Sequence, residues 1–301
     1  MKTKTTLKSI ILILSIFMLL PFGFTKHTSA NTEASTDTLF TEINNARIAY
    51  KTFGKGEQII MCVGYASNKD LWNTNLIVTL SKDYKVIVFD YRGMGYSSNE
   101  DSTFTIKTLA DDVNELMKSL DISQAHILGW SMGGYVAQIF AINYPEKVKK
   151  LVLYATDPGD KITINPSEKI IEILTNPKSS PEDLLNTLFP DDWLAKHPEP
   201  WKVLPHATEA YHAKTIGLQY EAIAMWLEPG GGSAGQLHQL KMPVLLICGN
   251  KDKVVPCQNS NILHDSISSS TLINVNNSGH GMMFQIPNTF SSYVLTFLNE
   301  E

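Results

Sequence analysis

Six short runs of apolar and β-branched residues punctuate the chain: Ile59–Val63, Lys85–Phe89, Ala125–Leu128, Lys150–Tyr154, Val244–Cys248 and Thr271–Val275. They are too continuously apolar to face water on one side, which is how strands covered on both faces of a parallel sheet read. Between them, Ile106, Leu109, Ala110, Val113, Leu116, Met117 and Leu120 recur at the three- and four-residue spacing of an amphipathic helix. Met132–Tyr144 predicts a second helix, stopped by Pro145, and Phe290–Leu298 a third near the end of the chain. Strands alternating with helices predict the α/β class, a doubly wound and mostly parallel sheet. Ile43–Phe53 adds an antiparallel pair at one edge.

The rhythm breaks between residues 157 and 240. Nine of the 14 prolines and three of the five tryptophans fall there, with only short helical stretches and a Gly230-Gly231-Gly232 joint. A simple crossover needs fewer residues. The expected organisation is therefore a core made of residues 31–156 and 241–301, with 157–240 inserted as a helical lid over the C-terminal edge of the sheet. An ordinary long crossover packed on the core is the plainer alternative.

Residues 1–30 stand apart. Lys2, Lys4 and Lys8 precede an apolar run from Ile10 to Leu20, and the small residues Thr28, Ser29 and Ala30 follow. This is the pattern of a secretory signal peptide, and the run is short for a membrane span. The expectation is a secreted or extracytoplasmic protein with no stable membrane span once the leader is removed. The whole chain has a net charge of −5; losing 1–30 removes four lysines and no acid, which leaves −9. There is no basic stripe, so no nucleic-acid partner is expected. Three cysteines, Cys62, Cys248 and Cys257, cannot all pair, and two of them lie in strand-like runs. No essential disulfide is expected. No Cys/His cluster suggests a metal, and no cofactor is implied.

The chemistry concentrates at Gly129-Trp130-Ser131-Met132-Gly133, which follows a predicted strand and opens a predicted helix. A G-x-S-x-G turn in that setting projects the serine hydroxyl at the edge of the sheet, above a helix N-terminus that favours developing negative charge. Such a hydroxyl needs a base. Of the seven histidines past residue 30, His280 fits best: it sits between Gly279 and Gly281 on the loop after the last strand, where glycines allow close approach to the serine turn. A carboxylate must orient the base. Asp252, after the strand Val244–Cys248, is preferred, and Asp157, after the preceding strand, is its rival. Met132 N–H and Tyr65 N–H are the candidate oxyanion donors. Tyr65, Trp130, Trp193 and Trp226 are candidate substrate contacts, with Phe189 and Trp201 as further apolar lining. The three insertion tryptophans serve equally well as a small core of their own. In Asp90-Tyr91-Arg92-Gly93-Met94-Gly95-Tyr96-Ser97 the G-K-[ST] of a phosphate loop is missing, so an Asp90–Arg92 bonded turn is expected.

Four motifs together, Cys62-Val63-Gly64-Tyr65, Asp90-x-Arg92-Gly93-x-Gly95-x-Ser97, Gly129-Trp130-Ser131-Met132-Gly133-Gly134 and the Asp252/His280 pair, resemble the α/β-hydrolase superfamily over about residues 40–298. The resemblance is to the single-domain branch with a lid before the penultimate strand. It implies Ser131 as nucleophile, His280 as base, Asp252 as acid, and Tyr65 and Met132 as oxyanion donors. Many relatives carry His-Gly where this chain has Val63-Gly64. A serine in the turn sets the chain apart from the dehalogenase and epoxide hydrolase branches, which use aspartate there. The implied activity is hydrolysis of small or medium carboxylic esters, a small-molecule substrate. Lactone hydrolysis, C–C hydrolysis and perhydrolysis share the same triad, and a non-catalytic ligand-binding protein is the alternative outside enzymology.

Overall fold

A computed structural model describes residues 37–176, 178–205 and 212–300. The proposed leader, residues 1–30, lies outside these. The strands are β1 (Leu39–Ile43), β2 (Ala46–Phe53), β3 (Glu57–Cys62), β4 (Tyr84–Phe89), β5 (Ala125–Trp130), β6 (Val148–Tyr154), β7 (Val244–Gly249) and β8 (Ser270–Val275). They form a single sheet in the order β1-β2-β4-β3-β5-β6-β7-β8. The first two strands are an antiparallel hairpin turned at Asn44-Asn45, both at positive φ as a tight hairpin turn requires. β2 runs antiparallel to β4, and every later pairing is parallel. β5 and β7 are buried along their whole length, whereas edge strand β8 is partly exposed. The six apolar runs thus became the six parallel strands.

Helices α1 (Thr74–Leu80), α2 (Ile106–Ser119) and α3 (Met132–Asn143) connect the first parallel strands. The connection through α1 moves from β3 to β4 in one direction across the sheet, whereas those through α2 and α3 move in the other. Right-handed crossovers then place α1 on one face and α2 and α3 on the opposite one. α2 and α3 accordingly pack on each other. Thr105 caps α2 by accepting the Thr108 N–H, and Ile106, Leu109, Ala110, Val113, Leu116 and Met117 are its buried stripe.

Between β6 and β7 the chain forms α4 (Glu168–Thr175), α5 (Pro181–Thr187), α6 (Asp191–Leu194) and α7 (Ala213–Leu227). After β7 come α8 (Gln258–Ser266), then α9 (Met282–Gln285) and α10 (Pro287–Asn299), the last packed against α1. Among the described residues no helix is long and apolar enough to cross a membrane. No group of three or more His, Cys, Asp or Glu is gathered there to hold a metal ion.

Two local expectations are corrected. Cys248 and Cys257 are joined as a disulfide. The loop after β7 doubles back to bring their Cα atoms to 5.3 Å, a proximity that linear spacing does not reveal. Cys62 is free and buried, and burial pushes its thiol up to about 12. The Asp90–Arg92 turn does not form as a pair either. Asp90 takes the Lys69 ammonium at 3.0 Å and the Lys69 N–H at 2.7 Å, while Arg92 donates twice to Asp112, at 2.6 Å each, and to Asp101. Buried charges need opposite charges, and those partners come from other segments of the chain.

Candidate active site

The chain reverses its direction of winding at β3, and ligand sites in open α/β sheets lie at such a point, beyond the carboxyl ends of the strands. The candidate residues collect there. Ser131 stands between β5 and α3 with φ 57 and ψ −124, a conformation an L-residue adopts only under constraint. The constraint is visible. Ser131 N–H donates to the Tyr154 carbonyl of β6 at 3.0 Å, and its own carbonyl accepts from Gly134 N–H and the Thr156 hydroxyl. Gly133 passes so close to β3 that a β-carbon there would lie 1.9 Å from the Cys62 carbonyl oxygen. The turn therefore demands glycine through close approach.

His280 lies on the loop between β8 and α9. Its Nδ1 is 2.9 Å from Asp252 Oδ2, and both side chains are buried. The other oxygen of Asp252 accepts the Val254 and Val255 N–H groups at 2.8 Å each. A proton on Nδ1 facing a carboxylate leaves Nε2 as the acceptor, the tautomer a general base needs. Tyr154 hydroxyl donates to the His280 carbonyl, which ties the loop to β6. The glycines beside His280 serve a purpose other than the expected approach to the serine turn. A β-carbon at Gly279 would lie 2.6 Å from the Leu188 carbonyl oxygen, and Gly281 N–H donates to that same oxygen at 2.8 Å. It is the segment between β6 and β7 that presses against them.

Ser131 and His280 line one cavity of about 380 Å³. Gly64, Tyr65, Trp130 and Met132 line it too. The loop after β3 lies against the serine turn: a β-carbon on Gly64 would stand 3.4 Å from Ser131 Cβ. Among the described residues, neither Tyr65 N–H nor Met132 N–H is taken by another group. Two unengaged backbone donors beside a serine can accept negative charge on a substrate oxygen. The rest of the wall is mostly aliphatic, with Leu184, Leu185, Leu188, Leu204 and Ile223 from the β6–β7 segment and Phe284 from α9. Among the described residues no Lys or Arg lines it.

Trp193 and Trp226 do not line the cavity. Trp193 is stacked between Phe189, at 4.4 Å, and His197, at 3.9 Å. Trp226 is buried flat against Tyr135 at 4.6 Å. Phe189 and Trp201 are likewise packed against neighbours rather than lining the cavity. Asp157, the rival acid, does reach the cavity wall but makes no bond to His280. It accepts from Tyr135 hydroxyl, from Trp226 Nε1 at 3.0 Å and from Gly159 N–H at 2.9 Å. Burial raises its carboxyl above the ordinary value, against the pull of these donors. One participant was not foreseen. Gln219 of α7, wholly buried, accepts the Ala66 N–H at 2.9 Å. The available signal was a glutamine within the apolar helical stripe Ile216, Ala222 and Trp226.

Comparison with known proteins agrees with this architecture. The family described as alpha/beta hydrolase fold matches residues 58–197, and one described as TAP-like protein matches residues 220–300. A poly(3-hydroxyalkanoate) depolymerase of Ectopseudomonas oleovorans is 27% identical, over 75% of this chain and 78% of its own length. The serine hydrolase BPHL of Mus musculus is 27% identical, over 85% and 84%. Among solved structures, an alpha/beta hydrolase fold protein from Chitinophaga pinensis superposes with a TM-score of 0.77 at 24% identity, over 90% of this chain and all of that one. Sheet order, serine turn and both family matches lead to one conclusion: the chain belongs to the α/β-hydrolase superfamily.

Proposed function

We propose that this protein is a serine hydrolase that cleaves neutral carboxylic esters carrying a small or medium apolar acyl group. The observation that carries the reading is the Asp252–His280 bond of 2.9 Å at the wall of the cavity that Ser131 also lines. In this reading Ser131 Oγ attacks the acyl carbon while His280 Nε2 takes the hydroxyl proton. The substrate oxygen becomes an oxyanion held by the Met132 and Tyr65 N–H groups. Collapse of this adduct breaks the bond to the alcohol, which leaves with the proton from His280. Water then attacks the acyl-serine, giving its proton to Nε2, and the carboxylic acid departs as Ser131 is restored.

The aliphatic wall supports an apolar acyl group, and the lack of Lys and Arg among its described residues disfavours anionic ones. The similarity to a poly(3-hydroxyalkanoate) depolymerase points the same way. The test is labelling by a fluorophosphonate, followed by turnover of p-nitrophenyl esters of increasing acyl length. Labelling of the native chain, its loss in Ser131→Ala, and turnover that peaks at short to medium acyl groups are expected. No labelling would overturn the reading in favour of a binding protein. Labelling without turnover of any ester would move the reaction to another bond.

A further inference from the structure

The loop that carries the Tyr65 N–H is held by a residue from far along the chain. Ala66, next to Tyr65, sits at φ 54, in the left-handed region that disfavours alanine. Its N–H donates to Gln219 Oε1 at 2.9 Å, across a separation of 153 residues. Only the carbonyl oxygen of a glutamine can accept an N–H, so this bond fixes the orientation of the amide. It also leaves Gln219 Nε2 buried without a hydrogen-bond partner among the described residues. A methionine or leucine would remove that orphan but leave the buried Ala66 N–H unpaired in its place, so the two costs roughly offset. A wholly buried polar group that is only half satisfied calls for a role other than stability. Gln219 is not among the cavity-lining residues, which leaves no direct contact with substrate.

We propose that Gln219 is a positioning residue for the oxyanion donors: by anchoring the peptide that follows Tyr65, it holds in place the loop on which the Tyr65 N–H sits. The Tyr65 N–H belongs to the preceding Gly64–Tyr65 peptide, which shares the Tyr65 Cα with the anchored one, so a displacement of the loop at Ala66 carries the donor with it. The β6–β7 segment thereby does more than cover the site, because α7 supplies the strut that shapes it. α7 has other anchors. Trp226 bonds Asp157, and Thr215 lies against Gly93, whose absent β-carbon would meet Thr215 Oγ1 at 2.4 Å. Loss of the Gln219 bond alone therefore leaves the helix docked.

This inference rests on the reading of Ser131 as nucleophile and Tyr65 as donor, and the experiment separates the two. The full chain and its Gln219→Met variant are compared for kcat, KM, Tm and inhibition by an alkylboronic acid, which forms a tetrahedral anionic adduct on serine. Removing an oxyanion donor outright costs about 10²–10³ in kcat. Displacing one in Gln219→Met is expected to cost about 10-fold or more, with boronate affinity falling by a similar factor, KM within about threefold, and Tm nearly unchanged. Gln219→Glu keeps an acceptor oxygen for Ala66 and is expected to retain more kcat than Gln219→Met. Leu218→Ala, which cuts a buried side chain on the same helix, is expected to lower Tm while leaving boronate affinity intact. The inference is overturned if Gln219→Met keeps its kcat and boronate affinity, or if Leu218→Ala reproduces the losses. A native chain that neither reacts with fluorophosphonate nor turns over esters would overturn the underlying reading instead.

Discussion

Asp252 and His280 meet through Oδ2 and Nδ1 at 2.9 Å, while the second carboxylate oxygen is pinned by two backbone N–H groups from Val254 and Val255. The aspartate is thus fixed before it fixes the histidine. In Asp252→Asn the amide can keep the backbone bonds through its oxygen but then presents NH₂ to Nδ1, which forces the proton onto Nε2. Turnover is expected to fall by about 10⁴-fold with little change in Tm. Ester kinetics alongside a thermal melt check this; a loss under tenfold would remove Asp252 from the proposed triad.

Asp157 supplies the control for that assignment. Its carboxylate is surrounded by donors from Tyr135, Trp226 and Gly159, and it ties β6 to α3 and α7. In Asp157→Asn the NH₂ group must confront at least one of these donors. Leaving buried partners unpaired costs about 1–3 kcal/mol. The expected result is a Tm several degrees lower with kcat within about tenfold of the native value. The reverse pattern, a native Tm with abolished turnover, would make Asp157 the working acid.

The parallel sheet was legible because its signal is local: a strand buried on both faces must be apolar throughout, as Val244–Cys248 is. The Ser131 turn was legible because a tight strand–helix junction restricts its own residues. Partners chosen by tertiary packing were not. Arg92 finds Asp112 and Asp90 finds Lys69 about twenty residues away, and a local Asp–Arg pair was the natural but mistaken expectation. Trp193 and Trp226 show the same limit. Composition marks them as apolar bulk, but only packing decides whether that bulk faces Phe189 and Tyr135 or the cavity. Gln219 and Ala66, 153 residues apart, lie beyond any local pattern.

The Cys248–Cys257 bridge closes the loop that carries Asp252. Disulfides of this kind contribute about 2–4 kcal/mol, largely by restricting the unfolded chain. Cys257→Ser is therefore expected to lower unfolding free energy by that order in a urea titration. A thiol count on the unreduced, urea-unfolded chain should give one thiol, Cys62, rising to three after reduction. Three thiols without reduction would show that the bridge is not formed.

His126 gives the fold a predictable acid limb. It lies in β5, with Nε2 3.1 Å from Glu57 and Nδ1 buried without a hydrogen-bond partner among the described residues. Burial holds its imidazole below the ordinary value of 6.5, outweighing the opposing pull of Glu57; Lys149 and Lys150 add to the lowering. As pH falls, the unfolded chain therefore binds this proton before the folded one does. Above about pH 6.5 neither state is protonated and the contribution is complete. Below it the unfolded state gains protons first, and stability declines until the folded-state value is passed. Glu57, held below its usual range by Lys149 and His126, adds a loss of the same sign at lower pH. His126→Leu removes the histidine contribution. The difference in urea midpoint between the native chain and this variant is expected to shrink or reverse, in favour of the variant, between about pH 7 and pH 5. Parallel midpoints across that range would show that His126 titrates alike in both states.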